Sequence, residues 1–247
     1  MNGQRARDSS RSPAIERTVR RLSALAELAD AEVALLRQMT QGETHGFGSD
    51  MQPQGGPPVS PRTLVQGFAC RYRMLADGRR QIYDFLIAGD LIGFHAEGQP
   101  LGLTSIAALT QVETVLATPL RDAARLPEHP GLSLALRRSA ELEQQRLLDH
   151  VVRLGRQTAH ERMAHLLLEL NDRLAVVGLG DGRRFQMPLT QETLSDALGL
   201  SVVHVNRILQ QLRRERLIEL RAGECRLLEP DLLAQIADYA PPPFQLS

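Results

Sequence analysis

The stretch LTQETLSDALGLSVVHVNRILQQLRRERLIELRAGECRLL, residues 189–228, contains the pattern that decides the fold. Thr190 can cap a first helix with its hydroxyl, and Ser201 can cap a second one in the same way. The first helix is predicted to bury Leu194, Ala197 and Leu198. Gly199 lies between the helices, where a backbone without Cβ tolerates a tight turn. A short hairpin follows, so the stretch predicts a winged helix-turn-helix, which places its second helix in the major groove of DNA.

The second helix of this stretch has two different faces. At roughly 100° per residue, one face carries the residues that should pack on the first helix, namely Val205, Ile208, Leu209 and Leu212. The other face carries Val203, Asn206, Arg207, Gln210 and Arg214. A valine is unusual on a solvated face, but its methyl groups can meet a thymine methyl, and an arginine can bind O6 and N7 of guanine. An ordinary amphipathic helix with one exposed valine is the alternative, and the caps, the turn and the hairpin favour the DNA-binding interpretation.

Length, charge and cysteine content restrict the class of protein. The chain has 247 residues, enough for two modest domains, and its formal net charge is zero. No apolar run approaches the length of a membrane span, and the first residues lack the apolar core of a secretory signal, so we expect a cytoplasmic protein. The two cysteines, Cys70 and Cys225, cannot supply a four-cysteine iron–sulfur or zinc site. We expect both thiols to be buried or inert.

The N-terminal half changes character three times along the chain. Residues 1–14 are poor in apolar side chains and are predicted to be a disordered tail. Residues 15–40 have the apolar spacing of a helix, and residues 41–61 are rich in Gly, Pro and Gln, which predicts a loop. Short strands follow in TLVQGFACRYRML, RQIYDFLI, TSIAAL and QVETVLATPL. Asp77-Gly78 predicts a hairpin between the first two, so an antiparallel sandwich or barrel is expected.

A long helix is predicted over residues 132–154. One side of it carries an apolar stripe made of Leu132, Leu136, Ala140, Leu147, Val151 and Leu154. Such a stripe can pack on the chain's own sheet or on the same helix of a second copy. A DNA-reading helix-turn-helix usually works as a dimer on a two-fold site, which favours the second option. The predicted dimerisation residues are Leu136, Ala140, Leu147, Val151 and Leu154. A further helix over residues 159–177 leads into the helix-turn-helix.

The order of these parts resembles the Crp/Fnr family of bacterial transcription regulators. The resemblance rests on ADGRRQIYDFLIAGDLIG (76–93), LGRQTAHERMAHLLLEL (154–170) and LTQETLSDALGLSVVHVNRILQQLRRERLI (189–218), and it covers roughly residues 63–228. It implies an α+β fold with four parts: the tail 1–14, a β jelly-roll-like sensor domain over 15–131 of the cyclic-nucleotide-binding type, a dimerisation helix over 132–158, and a winged helix-turn-helix over 159–247.

The resemblance also implies a function and a set of contacts. The expected protein is a homodimeric regulator that binds a palindrome in double-stranded DNA and contacts RNA polymerase. Thr190, Gln191 and Ser201 would bind phosphates, and Arg221 in the wing would do the same. Val202, Val203, Asn206 and Arg207 would face the bases. His204 either contacts the DNA backbone or is an ordinary surface histidine. The family often has a glutamate where Val203 stands, so the half-site should differ from the usual one.

The sensor segment departs further from the family pattern. Members that bind cyclic AMP use a glutamate for the ribose and an Arg-Ser or Arg-Thr pair for the phosphate. Here Phe94 and Thr104 stand at the glutamate and arginine positions, and only Ser105 matches, so cyclic AMP is not expected to bind. The family's oxygen sensors use an N-terminal cysteine cluster, which this chain lacks. The cofactor stays unknown; haem remains open, with His45, His95 and Cys70 as candidate ligands. A haem- or small-ligand-binding sensor in which DNA contact is secondary is the alternative function.

Two other motifs are set aside. The segment from His160 to His165 resembles a zinc-protease motif, but its histidines are five positions apart instead of four, which places them roughly 140° apart on a helix. The glycine-rich segment 178–182 lacks the spacing of a dinucleotide loop and follows a helix. With no catalytic constellation in the sequence, neither a metal site nor an enzyme is predicted.

Overall fold

The computed structural model describes residues 14–94, 102 and 104–242, and these residues form two compact units. The first unit contains residues 14–71 and 85–143, and the second contains residues 72–84 and 144–242. The predicted disordered tail lies outside the described residues except for Ala14, which is helical and buried. The domain boundaries expected from the sequence, after residues 14, 131 and 158, stay predictions.

The first unit begins with two helices, α1 over residues 14–23 and α2 over Asp30–Arg37. The helical pattern over residues 15–40 therefore corresponds to two helices with a break between them. The chain tightens after α1, where the amide of Leu25 bonds to the carbonyl of Leu22 at 3.0 Å. A new helix N-terminus then forms, and the Glu32 carboxylate accepts a hydrogen bond from the Ala29 amide at 2.8 Å. Apolar residues continue through this break, so their spacing did not reveal it.

The strands of the N-terminal half build two four-stranded sheets in the described part of the chain. They are β1 (Gly42–His45), β2 (Asp50–Gln52), β3 (Arg62–Gln66), β4 (Phe68–Met74), β5 (Arg80–Ile87), β6 (Leu91–Ile92), β7 (Ser105–Ala108) and β8 (Val112–Leu116). The strand orders are β1-β8-β3-β6 and β2-β7-β4-β5. The ladders β1–β8, β3–β8, β3–β6 and β2–β7 are antiparallel, which confirms the predicted antiparallel β domain.

Three details differ from the sequence-based expectation. Strands β1 and β2 lie inside residues 41–61, so the prediction that this segment is entirely loop is wrong. Gly67 divides the predicted first strand into β3 and β4, which belong to different sheets; it has φ +90°, and a Cβ there would lie 2.2 Å from the Gln111 carbonyl oxygen. The predicted last strand ends at Leu116, and a short helix, α3 (Thr118–Ala123), follows with a proline in its first turn.

The long helix α4 spans Pro130–Arg156, which confirms the predicted helix over residues 132–154. Its start is anchored in the first unit, because the buried Glu32 carboxylate accepts a hydrogen bond from the Leu132 amide at 3.0 Å. The start of α4 also shares an apolar core with α1, α2 and α3, which includes Leu22, Leu36, Leu120, Leu132 and Ala135. Among the described helices, none combines the length and the apolar character that crossing a membrane requires.

The second unit contains the C-terminal elements. They are α5 (Ala159–Val176), β9 (Arg184–Gln186), α6 (Gln191–Leu198), α7 (Val202–Arg214), β10 (Ile218–Arg221), β11 (Glu224–Leu227) and α8 (Pro230–Ala237). The strands form a small antiparallel sheet in the order β10-β11-β9. The core of the unit includes Met163, Leu167, Leu194, Val205 and Leu212. This arrangement of helices and hairpin is the predicted winged helix-turn-helix.

Buried charges connect α4 to α5 within the second unit. The Glu169 carboxylate bonds Arg153 at 2.8 Å and Arg173 at 3.0 Å, and Arg146 bonds Asp84 at 3.1 Å. Burial alone would raise the pKa of Glu169, but Arg153 and Arg173 outweigh it and hold the pKa at about 2. The carboxylate therefore stays ionised, and its pair with Arg153 joins the last turns of α4 to α5, whereas Arg146 joins α4 to Asp84 of β5.

Candidate DNA-binding site

The turn between α6 and α7 has the caps that its sequence predicts. The Thr190 hydroxyl accepts a hydrogen bond from the Thr193 amide at 3.1 Å at the start of α6. The Ser201 hydroxyl accepts one from the His204 amide at 3.2 Å at the start of α7. Gly199 ends α6 in the left-handed conformation, with φ +64° and ψ +38°, which favours glycine. These three residues fix the angle between the two helices.

Helix α7 buries one face and exposes the other, as its periodicity predicts. Its buried residues are Val205, Ile208, Leu209 and Leu212. On the opposite side, Val203 is 80% exposed, and Val202 in the first turn of the helix is 43% exposed. Arg207 is exposed beside them, and the half-buried Asn206 accepts a hydrogen bond from Gln210 at 2.9 Å. The free face of α7 thus combines apolar methyl groups with a guanidinium and amide groups, which is a surface suited to base edges.

The remaining predicted DNA contacts surround this face. Thr190, Gln191 and Ser201 are exposed at the N-terminal ends of α6 and α7, where unpaired amides and the helix dipole favour anions. His204 is half-buried in the first turn of α7. Arg221 lies at the turn of the β10–β11 hairpin and bonds Glu219 at 2.7 Å. Its side chain is 83% exposed, so this ion pair is weak and can open for a phosphate.

The predicted dimerisation residues of α4 lie in different surroundings. Leu136, Ala140 and Leu154 are half-buried, whereas Leu147 and Val151 are 48% and 62% exposed. Leu148 and Val152, which the predicted stripe does not include, are 54% and 53% exposed beside them. Their positions next to Leu147 and Val151 in the segment LLDHVV, residues 147–152, were the sequence signal that could have identified them. Four exposed apolar side chains therefore share this part of α4.

The sensor residues that differ from the cyclic-AMP-binding pattern have partners within the first unit. Phe94 packs against the apolar core. The Thr104 carbonyl oxygen accepts a hydrogen bond from the Gln52 side chain at 2.8 Å. The Ser105 hydroxyl accepts one from the Gln54 amide at 3.0 Å. The single residue that matches the pattern is therefore already engaged by the chain's own backbone.

A cavity of about 310 Å³ lies beside Phe94 in the first unit. Arg71 of β4 and Glu143 of α4 line it, and their side chains form an ion pair. Arg71 also donates a hydrogen bond to the Leu91 carbonyl at 3.3 Å. Within this unit, an internal ion pair therefore joins the sheet to the long helix at the cavity.

The candidate haem ligands do not come together in the described part of the chain. His45 lies on β1 and Cys70 on β4, which belong to different sheets, and His95 lies outside the described residues. Burial lowers the pKa of His45. Cys70 and Cys225 are both buried, as predicted, and neither forms a disulfide. Burial raises the pKa of the Cys225 thiol to about 12, so that thiol stays protonated.

The two histidines of the rejected zinc motif have separate surroundings. His160 lies 2.9 Å from the Glu215 carboxylate. His165 is buried and packs edge-to-face against Tyr239, with 5.0 Å between the ring centroids. Burial lowers the pKa of His165, which favours its neutral ring. Each histidine thus has its own structural contact in the second unit.

An antiparallel β domain, a long helix and a winged helix-turn-helix with a free recognition face define a DNA-binding transcription regulator. Comparisons with known proteins agree. A family profile described as the Crp-like helix-turn-helix domain matches residues 161–236. The chain is 33% identical over 196 residues to the nitrogen fixation regulation protein FixK of Rhizobium meliloti, which covers 79% of this chain and 86% of FixK.

Two further relatives extend this similarity. The chain is 29% identical to the transcriptional activatory protein AadR of Rhodopseudomonas palustris, over 86% of this chain and 87% of AadR. The structure of FixK2 from Bradyrhizobium japonicum superposes with a TM-score of 0.68 at 27% identity, covering 81% of this chain and 98% of FixK2. The chain belongs to the Crp/Fnr family of transcription regulators. Its relatives are regulators and not enzymes, so the chain is a DNA-binding protein of that kind.

Proposed function

We propose that the chain binds a palindromic operator as a homodimer and reads each half-site with the free face of α7. One observation carries the proposal: α7 buries four apolar residues and leaves Val203 and Arg207 exposed on its opposite face, with Val202 exposed in its first turn. Exposed valines gain nothing from water, whereas a major groove offers them thymine methyl groups.

The proposed contacts follow from the position of each side chain. Thr190, Gln191 and Ser201 bind phosphates at the two helix N-termini, where amides and hydroxyls are exposed. The proposed base contacts come from Val202, Val203, Asn206 and Arg207. His204 and Arg221 contact the DNA backbone on either side. Phosphate contacts set the register of the protein, and the base contacts then supply the sequence preference.

Val203 is the residue that makes the proposed half-site differ from the one that a glutamate at this position would read. A glutamate at this position would accept a hydrogen bond from cytosine N4, and a valine cannot. The side chain is 80% exposed, so it is free to meet a base edge. We therefore propose a half-site with a thymine methyl group at the base pair next to Val203, and a guanine at the base pair next to Arg207.

The proposed dimer forms through α4. Leu147, Leu148, Val151 and Val152 form an exposed apolar stripe on this helix, and such a stripe is stabilised when the same helix of a second copy covers it. Leu136, Ala140 and Leu154 are half-buried and extend the same seam. A dimer axis at α4 gives two recognition helices related by two-fold symmetry, which a palindrome requires.

We also propose where the protein acts and which further partner it has. Since its partner is chromosomal DNA, the chain acts in the cytoplasm. AadR is named a transcriptional activatory protein, and activation requires communication with RNA polymerase, so we propose polymerase as a further partner.

Operator selection tests the proposed function directly. The wild-type protein is incubated with a randomised duplex library, and the bound fraction is sequenced after several rounds. We expect a palindrome whose half-site centres lie about one helical turn apart, roughly 34 Å. Enrichment of single, unpaired half-sites would contradict the dimer, and absence of any enriched sequence would contradict sequence-specific binding.

We also propose that cyclic AMP does not control this protein. The cavity beside Phe94 has an apolar side chain where a ribose-binding carboxylate would be needed, and Ser105 is bonded to the Gln54 amide. Arg71 is paired with Glu143 there, so a cyclic phosphate would have to displace a carboxylate from the guanidinium. Stripping hydration from a charged phosphate without a charged partner costs several kcal/mol or more.

Calorimetric titration with cyclic AMP measures this directly. We expect no heat of binding in the micromolar range and no change in the affinity of the protein for its selected operator. The comparison is a buffer titration in the same cell. Micromolar binding of cyclic AMP that also tightens the DNA complex would show that the sensor segment holds the nucleotide in another way.

A further inference from the structure

The side chain of Arg162, in the first turn of α5, donates hydrogen bonds to three main-chain carbonyls within the second unit. Its Nε donates to Gln157 at 2.9 Å, its Nη2 to Leu154 at 2.9 Å and its Nη1 to Leu198 at 3.0 Å. These carbonyls belong to the linker between α4 and α5, to the last turn of α4 and to the last turn of α6. One guanidinium therefore joins the long helix, the linker and the first helix of the helix-turn-helix.

Helix geometry explains why a guanidinium fits this place. The last four carbonyls of an α-helix have no partner within that helix, and the C-terminal end carries a partial negative charge. Leu154 lies in the last turn of α4 and Leu198 is the last residue of α6. An arginine has five donors in a rigid planar fork, so a single side chain can satisfy carbonyls in three directions. A lysine has the charge but not the fork.

The position of Leu198 matters because it directly precedes the turn to α7. Gly199 and Leu200 alone separate it from Ser201, whose hydroxyl caps α7. A Cβ at Gly199 would lie 3.4 Å from Cδ2 of Leu154, so the end of α4 packs against this turn. Holding the Leu198 and Leu154 carbonyls on one guanidinium therefore fixes the start of α7 relative to the end of α4.

We propose that Arg162 is a positioning residue for operator binding, which sets the distance between the two recognition helices of the dimer. The proposal rests on the proposed function, in which α4 forms the dimer seam and α7 reads the bases. Both recognition helices must reach half-sites about one helical turn apart at the same time. A loose connection between α4 and α7 lowers the effective concentration of the second helix at its half-site.

The test compares Arg162→Ala and Arg162→Lys with the wild type and with Arg156→Ala. Arg156 is an exposed arginine in the last turn of α4, the turn whose Leu154 carbonyl Arg162 contacts. Arg156→Ala therefore removes the same charge as Arg162→Ala. The probes are the palindromic duplex that the wild type selects from a randomised library, the same duplex with one arm scrambled, and an unrelated duplex. A fourth probe carries one extra base pair between the half-sites.

We expect both Arg162 variants to bind the palindrome about tenfold or more weakly, while their affinities for the scrambled-arm and unrelated duplexes change by less than about twofold. The extra base pair should weaken the wild type strongly and the Arg162 variants much less, because a loose helix tolerates altered spacing. Arg156→Ala should keep the wild-type ratio between palindrome and single half-site. Helix α6 remains held by the ion pair of Arg80 with Asp196 at 2.7 Å, so the variants should fold.

Other results would overturn the assignment. Wild-type binding of the palindrome by both Arg162 variants would show that the three hydrogen bonds do not position α7. Equal losses on all four duplexes would assign Arg162 to a phosphate contact instead. Thermal unfolding and light scattering verify folding and dimerisation, and Arg162→Gln replaces the alanine variant if that one does not fold. If the wild type itself does not prefer the palindrome to the single half-site, the proposed function fails, and not the role of Arg162.

Discussion

Replacement of Arg207 by alanine is expected to abolish preference for the operator while the protein stays folded. Arg207 is exposed on the free face of α7, two turns before the end of the helix, and it is not one of the buried residues by which α7 packs. An arginine bound to O6 and N7 of guanine contributes about 1–3 kcal/mol of base discrimination at each half-site. A dimer loses this contribution twice, so specific binding should fall to the level of unrelated DNA.

Competition binding measures the effect of Arg207→Ala. The labelled operator is displaced by unlabelled operator and by unrelated duplex, and the ratio of the two affinities is the readout. The matched control is Arg213→Ala, which removes an exposed arginine from the last turn of the same helix. Arg213 is not among the proposed base contacts, so the control should change both affinities to a similar extent and keep the ratio. An Arg207→Ala protein with the wild-type ratio would mean that another surface reads the bases.

The helix-turn-helix could be predicted because its determinants are local. The hydrogen bonds of Thr190, Gly199 and Ser201 reach at most four residues along the chain, and the burial of α7 follows a period of 3.6 residues. Strands β1 and β2 could not be predicted in this way. Their sequences, GETH and DMQ, have no apolar alternation, and they are stabilised by pairing with β8 and β7, which lie more than fifty residues further along the chain. Such pairing leaves no local signal.

The candidate site shows the same division between local and distant determinants. The free face of α7 follows from periodicity, whereas the contacts of Arg162 do not, because its partner Leu198 is 36 residues away. The apolar stripe of α4 could be predicted from the sequence, but the surface that covers each of its residues could not. Leu132 is buried in the core of its own unit and Leu147 is half exposed, although both have the same place in the pattern. Only the tertiary structure distinguishes a residue that its own unit covers from one that is left for a second copy.

Replacement of Leu147 by glutamate should convert the dimer into a monomer. The side chain is 48% exposed in the single chain, so a glutamate there is solvated and the monomer should stay folded. In the proposed seam, two glutamates from symmetry-related helices would lose their hydration against Leu148 and Val151 and would repel each other. Desolvation of an unpaired charge costs several kcal/mol, on the order of 3–5 for a broken buried pair, which exceeds what a small apolar seam recovers.

Light scattering at micromolar concentration gives the mass of the Leu147→Glu protein. The matched control is Leu126→Glu, because Leu126 is 53% exposed and lies outside α4. We expect the control to keep the mass of the wild type and the Leu147→Glu variant to have half that mass, with unchanged helical circular dichroism. The variant should also lose its preference for a palindrome over a single half-site, because each α7 then binds alone. A Leu147→Glu protein that keeps the wild-type dimer mass would move the seam away from the exposed stripe of α4.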